Sequence, residues 1–214
     1  DVRNTEAIYD IQFGYVKRPT HRNNTWDAAK FEVCAHKFMD MGEYGYGVSL
    51  MNDCKYGHNV KNGTMKISLF KCGTHPDPNA DKCVHVFTYS LYPHAQSYRE
   101  AGTMKKAFEL NNPLTAYKIE KQDGCLADEY SFISCNADNF IVDTAKMAED
   151  SDALIVRGYE HFNKRTNVTL DFGFDISSAE ICDMMENSET ELKVNGRSVS
   201  FTAEPFEIVT LKIK

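Results

Sequence analysis

The stretch Glu191-Leu-Lys-Val-Asn-Gly-Arg-Ser-Val-Ser-Phe-Thr202 reads as a β-hairpin. Asn195-Gly196 supplies two residues that tolerate positive φ, as a two-residue hairpin turn requires, and Val194 and Val199 flank it. Working outward, strands are predicted at Ser131–Cys135, Ile141–Met147, Ala153–Glu160, Asn167–Phe174, Glu191–Val194, Ser198–Thr202 and Glu207–Ile213. Ala148-Glu-Asp-Ser-Asp152 is an acidic turn between two of them. Short strands at this regular spacing predict a small antiparallel β-sandwich.

The first half carries the same signal. Tyr9, Ile11, Phe13 and Tyr15 alternate with polar residues or glycine, as do Phe31, Val33 and Ala35. Tyr46, Val48 and Leu50 form another run, then Met65, Ile67 and Leu69, then Phe87, Tyr89 and Leu91. Asn62-Gly63 marks a second hairpin. The turn-rich stretches Arg18–Asn24, Asn52–His58 and His75–Asp81 are loops, and ordered loops on a rigid sheet are where function concentrates. Ser97 with Glu100 is a capping-box pattern and predicts a helix ending at Asn111-Asn112-Pro113. Lys118–Asp128 is polar and contains Gly124, so it reads as a join between a unit at 1–120 and a unit at 128–214. The chain is therefore expected to be all-β: the end of a large β-sandwich region with one short helix, followed by the small sandwich.

Composition narrows the function classes. In 214 residues, 24 Lys+Arg stand against 31 Asp+Glu, a formal net charge of −7 that disfavours a nucleic-acid platform. An apolar fraction of 42% fits a folded chain, and no run approaches the roughly 18 apolar residues that span a bilayer. The seven cysteines are an odd count without a C-x-x-C pair, which reads as reduced thiols and a cytoplasmic setting. Sequons at Asn23, Asn62 and Asn167 are too short a pattern to outweigh that reading.

Three constellations could carry chemistry. Cys72-x-x-His75 and Cys83-x-His85 offer two thiols and two imidazoles to a tetrahedral metal, but the second spacing is wrong for a zinc ribbon. Asp53, Asp77, Asp81 and Asp128 are candidate carboxylates for hydrolysis, although Asp is also favoured in turns for its own hydrogen bonding. Trp26, Tyr44, Tyr46, Tyr56, Tyr92 and Tyr98, with Arg18, Arg22, Lys55 and Asn52, would suit a sugar surface. Rings cover C–H faces there while polar groups bond hydroxyls. No G-x-S-x-G, H-E-x-x-H or phosphate-binding glycine loop occurs.

Longer motifs resemble a known family. They are Phe13-Gly-Tyr-Val-Lys-Arg-Pro-Thr-His-Arg-Asn-Asn-Thr-Trp-Asp27, Phe31-Glu-Val-Cys-Ala-His-Lys37 and Glu43-Tyr-Gly-Tyr-Gly-Val-Ser-Leu-Met-Asn-Asp-Cys-Lys-Tyr-Gly57. Pro76–Asp81, Phe87–His94, Arg99–Gly102, Ala148–Arg157 and Pro205–Leu211 continue them. These are similar to the C-terminal β-rich part of glycoside hydrolase family 38 α-mannosidases, of the cytosolic and bacterial branch. The resemblance implies a retaining enzyme using a divalent metal such as zinc, with its nucleophile, acid/base and metal ligands in an earlier α/β barrel. None of those barrel motifs is present, so no catalytic or metal residue carries over and no cofactor is expected here. A chain that lacks an initial Met and those motifs is expected to be part of a longer polypeptide.

By the same resemblance, loops of the large β region face the barrel. Arg18, His21, Arg22, Asn52, Asp53, Lys55 and Tyr56 are the residues expected at the substrate cleft or barrel interface. The expected partners are the barrel itself, mannosides and a possible second copy, with neither nucleic acid nor membrane. A free-standing carbohydrate-binding sandwich is the alternative.

Overall fold

The computed structural model describes residues 2–121, 123–125 and 127–214. The expected join at Lys118–Asp128 includes Gln122 and Leu126, which with Asp1 lie outside the described residues. The chain divides into two compact units, Asp1–Tyr117 and Lys118–Lys214. Among the described residues it is an all-β chain with two short helices.

The first unit begins with β1 (Glu6–Ile11) and β2 (Gly14–Pro19), then α1 (Thr25–Ala29) and β3 (Val33–Cys34). It continues through β4 (Phe38–Glu43), β5 (Tyr46–Asn52), β6 (Gly57–Lys61), β7 (Thr64–Ser68) and β8 (Tyr89–Ala95) to α2 (Thr103–Asn111). One sheet has the order β2-β1-β4-β5-β8, and a smaller one the order β3-β6-β7. Tyr9, Met39, Met41 and Leu50 from the large sheet pack with Val60 from β6, with Val33, Met65 and Ile67 against them. The core therefore lies between the two sheets.

The alternation at Tyr9–Tyr15 hides a chain reversal. The run turns at Gln12-Phe13, with Phe13 at φ 56, so Tyr9 pairs with Val16 while Tyr15 pairs with Asp10. Residues opposite each other share a face. Tyr9 and Val16 thus enter the core, and Tyr15 lies on the opposite face, edge-on to Tyr98 at 5.9 Å between ring centres.

That second face holds a buried polar chain. Asp40 sits mid-strand in β4, which is buried on both faces at Phe38-Met-Asp-Met41. Its carboxylate accepts from Ser49 Oγ at 2.7 Å and meets His94 Nε2 at 2.7 Å. Ser49 is in turn 2.9 Å from Thr103 Oγ1, the first residue of α2. The Ser97–Glu100 box forms, with Ser97 N donating to Glu100 at 3.0 Å. It closes the turn before α2 rather than the helix itself, which starts after Gly102 in the left-handed region at φ 66.

The second unit is a two-sheet sandwich. Its strands are β9 (Ile133–Cys135), β10 (Phe140–Met147), β11 (Leu154–Glu160), β12 (Thr166–Phe172), β13 (Ala179–Cys182), β14 (Ser188–Leu192), β15 (Val194–Asn195), β16 (Ser198–Ala203) and β17 (Ile208–Ile213). The sheets have the orders β10-β11-β17-β13-β14 and β15-β16-β12-β9, with neighbouring strands antiparallel. Val156, Val209 and Leu211 from one sheet meet Val168, Leu170, Val199 and Phe201 from the other. Period-two alternation, such as Val199, Phe201 and Ala203 inward on β16, is what builds this core.

Candidate functional site

Five of the expected site residues gather where β3 pairs with β6. Arg18, on β2, donates from Nη1 to the Cys34 carbonyl at 2.9 Å, and its guanidinium lies 4.7 Å from the Tyr9 ring centre. Burial pulls its pKa down, opposed by Tyr9 and Cys34. Cys34 pairs with Gly57, and Ala35 N donates to the Tyr56 carbonyl at 3.0 Å. The Tyr56 ring is exposed and lies 5.3 Å from the His36 ring centre.

Asn52 is the hub of this junction and is only 1% exposed. Its Nδ2 donates to the His36 carbonyl at 3.0 Å and lies 3.3 Å from His58 Nε2, while its Oδ1 accepts from Lys55 N at 2.6 Å. Its own carbonyl accepts from Asn111 Nδ2 at 3.0 Å, which ties the loop to the end of α2. These bonds engage the Asn52 side chain internally. Asp53 accepts from Thr88 N at 3.0 Å; a hydrogen bond from Cys54, then that from Thr88, holds its carboxyl below the ordinary range. Lys55 keeps its ammonium 5.2 Å from the Phe87 ring centre.

His21 and Arg22 belong to the adjoining loop. His21 Nδ1 is 3.8 Å from Asp27 Oδ2, and Arg22 donates to the Phe31 carbonyl at 3.3 Å. Asn59 of β6 donates to that same carbonyl, so this loop too is fastened to the small sheet. Asn24 caps α1 by accepting from Asp27 N at 2.8 Å, and exposed Trp26 stands on that helix at 81% accessibility. His21 also lines a cavity of about 380 Å³ with Arg3, Asn4, Thr20 and Asn62.

His58 was outside the expected set, yet it is fully buried beside Asn52. Burial pushes its pKa below the usual imidazole range; the Tyr56 backbone opposes this, and Arg18 and His36 add to it. Because Asn52 Nδ2 is a donor, Nε2 of His58 accepts there, and a second ring proton would confront that amide. The unfolded chain therefore binds the proton more tightly than the folded one. Stability falls as pH drops through the ordinary value of 6.5 toward the lower folded value. Asp40 works in the opposite sense. Burial raises its pKa above 3.8, with His94 and Ser49 opposing, so its contribution is present at low pH and lost as pH rises through the folded value. Urea midpoints of the first unit are expected to fall from pH 7.5 to 5.5, and to fall less in His58→Gln. Equal slopes in the two proteins would contradict this.

The two histidine–cysteine half-motifs do not assemble a metal centre. Among the described residues, no group of three or more His, Cys, Asp or Glu side chains is placed to hold a metal ion. Among them too, no helix is long and apolar enough to cross a membrane.

Two antiparallel β units, the first carrying hydrogen-bonded polar loops beside its small sheet, define an all-β chain. Residues 1–79 match the family described as "Glycosyl hydrolases family 38 C-terminal domain", and residues 139–211 match "Glycosyl hydrolases family 38 C-terminal beta sandwich domain". The chain belongs to glycosyl hydrolase family 38, of which it carries C-terminal domains. It is 36% identical over 98% of its length to human "Alpha-mannosidase 2C1" and 39% identical over 99% to "Alpha-mannosidase G" of Dictyostelium discoideum. It spans 20% of each of those relatives. The crystal structure of an alpha-mannosidase from Enterococcus faecalis V583 shares the fold, with a TM-score of 0.81 at 20% identity over 99% of this chain and 24% of that one.

Proposed function

We propose that this chain is the non-catalytic C-terminal region of a retaining, metal-dependent α-mannosidase, bracing the catalytic barrel and shaping its substrate cleft. One observation carries the reading: the chain aligns along almost its whole length with named α-mannosidases yet spans a fifth of them, and both matched domains are C-terminal. Hydrolysis in the parent goes through a glycosyl-enzyme intermediate, with the carboxylates and the divalent metal held by the barrel. No step is assigned to a metal on this chain, because its described His, Cys, Asp and Glu residues gather in no ligand set. Reduced thiols support a cytoplasmic setting.

The loop geometry divides the labour. Arg22, Lys55 and Tyr56 border the β3–β6 junction with side chains not enclosed in the core, so they are the ones assigned to the barrel or the sugar. Asn52, by contrast, holds the junction together from inside. In the full-length enzyme, Lys55→Ala and Tyr56→Ala are expected to lower kcat/KM about tenfold, a loss of about 1.4 kcal/mol of transition-state stabilisation, at unchanged melting temperature. Asn52→Ala is expected to lower the melting temperature itself. A fall in melting temperature without any kinetic change in the Lys55 and Tyr56 variants would sink the cleft assignment.

A further inference from the structure

The segment between β7 and β8 contains the two cysteines that the metal reading could not use. It is irregular along 69–88 and held mainly by its own turns: Ala80 N to the Asp77 carbonyl at 3.2 Å, Lys82 N to the Asn79 carbonyl at 3.2 Å, and Asn79 N to Asp77 Oδ1 at 2.8 Å. Its two legs nevertheless touch. Phe70 and His85 stack across them, ring centres 5.4 Å apart and planes 10° from parallel. Cys72 and Cys83 each lie two residues tipward of that stacked pair.

Both thiols approach one Asp81–His85 pair. Cys72 Sγ approaches the Asp81 carbonyl at 3.9 Å, the same carbonyl lies 2.9 Å from His85 Nε2, and Cys83 Sγ lies 3.8 Å from that nitrogen. Both cysteines are free and exposed, so an oxidant reaches them. Three of the four residues of the half-motifs meet here without forming a metal ligand set. Two exposed thiols thus share one carbonyl–imidazole contact on a loop held mainly by its own turns.

We propose that Cys72 and Cys83 form a two-cysteine oxidation site that closes the 72–83 loop by a reversible disulfide. The oxidant is a peroxide. One thiolate attacks a peroxide oxygen; the O–O bond breaks, leaving a sulfenic acid and hydroxide, which takes up a proton. The second thiolate attacks the sulfenic sulfur; the S–S bond forms, the S–O bond breaks, and the departing hydroxide is protonated to water. Two thiols and one hydrogen peroxide give one disulfide and two waters, a two-electron oxidation. A dithiol such as dithiothreitol reverses it.

The test is peptide mapping of the purified chain after brief treatment with one to five equivalents of hydrogen peroxide and alkylation of the remaining thiols. Trypsin cuts after Lys71 and Lys82, so the site reports as peptide 72–82 joined to the peptide that starts at Cys83, two hydrogens lighter than their sum. That species is expected to dominate while Cys34, Cys54 and Cys125 stay alkylated, and to vanish on reduction. Cys72→Ser and Cys83→Ser should each abolish it and leave a dimedone-reactive sulfenic acid on the remaining partner. Cross-links scattered among other cysteines, sulfinic acid without a cross-link, or stoichiometric zinc that is retained by the purified chain and lost in either serine variant would each overturn the proposal.

Discussion

Replacing Glu160 with Gln is expected to destabilise the second unit by about 3–5 kcal/mol, the worth of two charge-assisted hydrogen bonds turned into donor-against-donor contacts. Glu160 ends β11 with its carboxyl fully buried. Oε1 accepts from Asn139 Nδ2 at 2.7 Å and Phe162 N at 2.6 Å. Oε2 accepts from Lys164 N at 3.1 Å and Phe206 N at 3.0 Å. All four partners are donors, so only a carboxylate satisfies them at once. An amide must turn its NH₂ toward one pair, which loses both bonds and leaves buried donors facing each other. Three of those donors are backbone groups of the loops that follow β11 and precede β17. Calorimetry should show the melting of the second unit lowered by roughly 15–30 °C in Glu160→Gln, with the first unit's transition unchanged. Glu160→Ala should leave the unit unfolded at 37 °C. A Gln variant within about 1 kcal/mol of the parent would contradict this account of the loop junction.

Gly47→Ala is expected to damage the first unit through the His94 ring. A Cβ at 47 would lie 2.4 Å from His94 Cε1, 2.9 Å from its Nε2 and 3.2 Å from the Gly42 Cα. His94 cannot simply step aside. It sits opposite Gly47 on β8, nearly buried, with Nε2 on Asp40 at 2.7 Å and Nδ1 3.2 Å from the Gln96 carbonyl. Displacing the ring strips Asp40 of its main partner and leaves a buried carboxyl held by Ser49 alone. Leaving a buried, hydrogen-bonded carboxyl without its partner costs about 1–3 kcal/mol, more where the group is charged. Urea unfolding of Gly47→Ala should show a loss of that size. In Gly47→Ala/His94→Ala the additional loss from the glycine change should nearly vanish, because the clash partner is gone. Full additivity of the two changes would show that the strain lies in the backbone instead.

The second unit was legible because its strands obey one rule. Each of β12, β16 and β17 buries one face against the opposite sheet, so apolar residues fall at every second position, and Asn195-Gly196 fixes a register. The first unit broke the rule twice. β4 is covered by the small sheet on one face and by Tyr98 and the Asp40 network on the other, so Phe38-Met-Asp-Met41 shows no alternation and was not anticipated as a strand. The Tyr9–Tyr15 run kept alternating through a reversal that carries no strong turn signal, because Phe13 rather than Gly or Asn takes the left-handed position. Short β13 (Ala179–Cys182) and β6 (Gly57–Lys61) gave too few residues to show a period. Helix α1 had a readable signal after all: Asn24 and Asp27 are spaced as a cap and its third residue.

The site was legible in part for the same physical reason. Loop positions such as Arg22, Lys55 and Tyr56 announce themselves by residue type, whereas Arg18, read as loop, lies on β2. The burial of Asn52, the position of His58 beneath it and the tie from Asn111 to the Asn52 carbonyl depend on contacts distant in sequence. No local pattern reports those.

The most direct test of the central claim is release of the aryl group from an aryl α-mannoside, measured side by side for the isolated 214-residue chain and for a longer polypeptide in which an upstream barrel precedes it. Turnover is expected from the longer protein and none from the isolated chain. Metal-stimulated turnover by the isolated chain would contradict a non-catalytic bracing role, as would full turnover by the barrel after this region is removed.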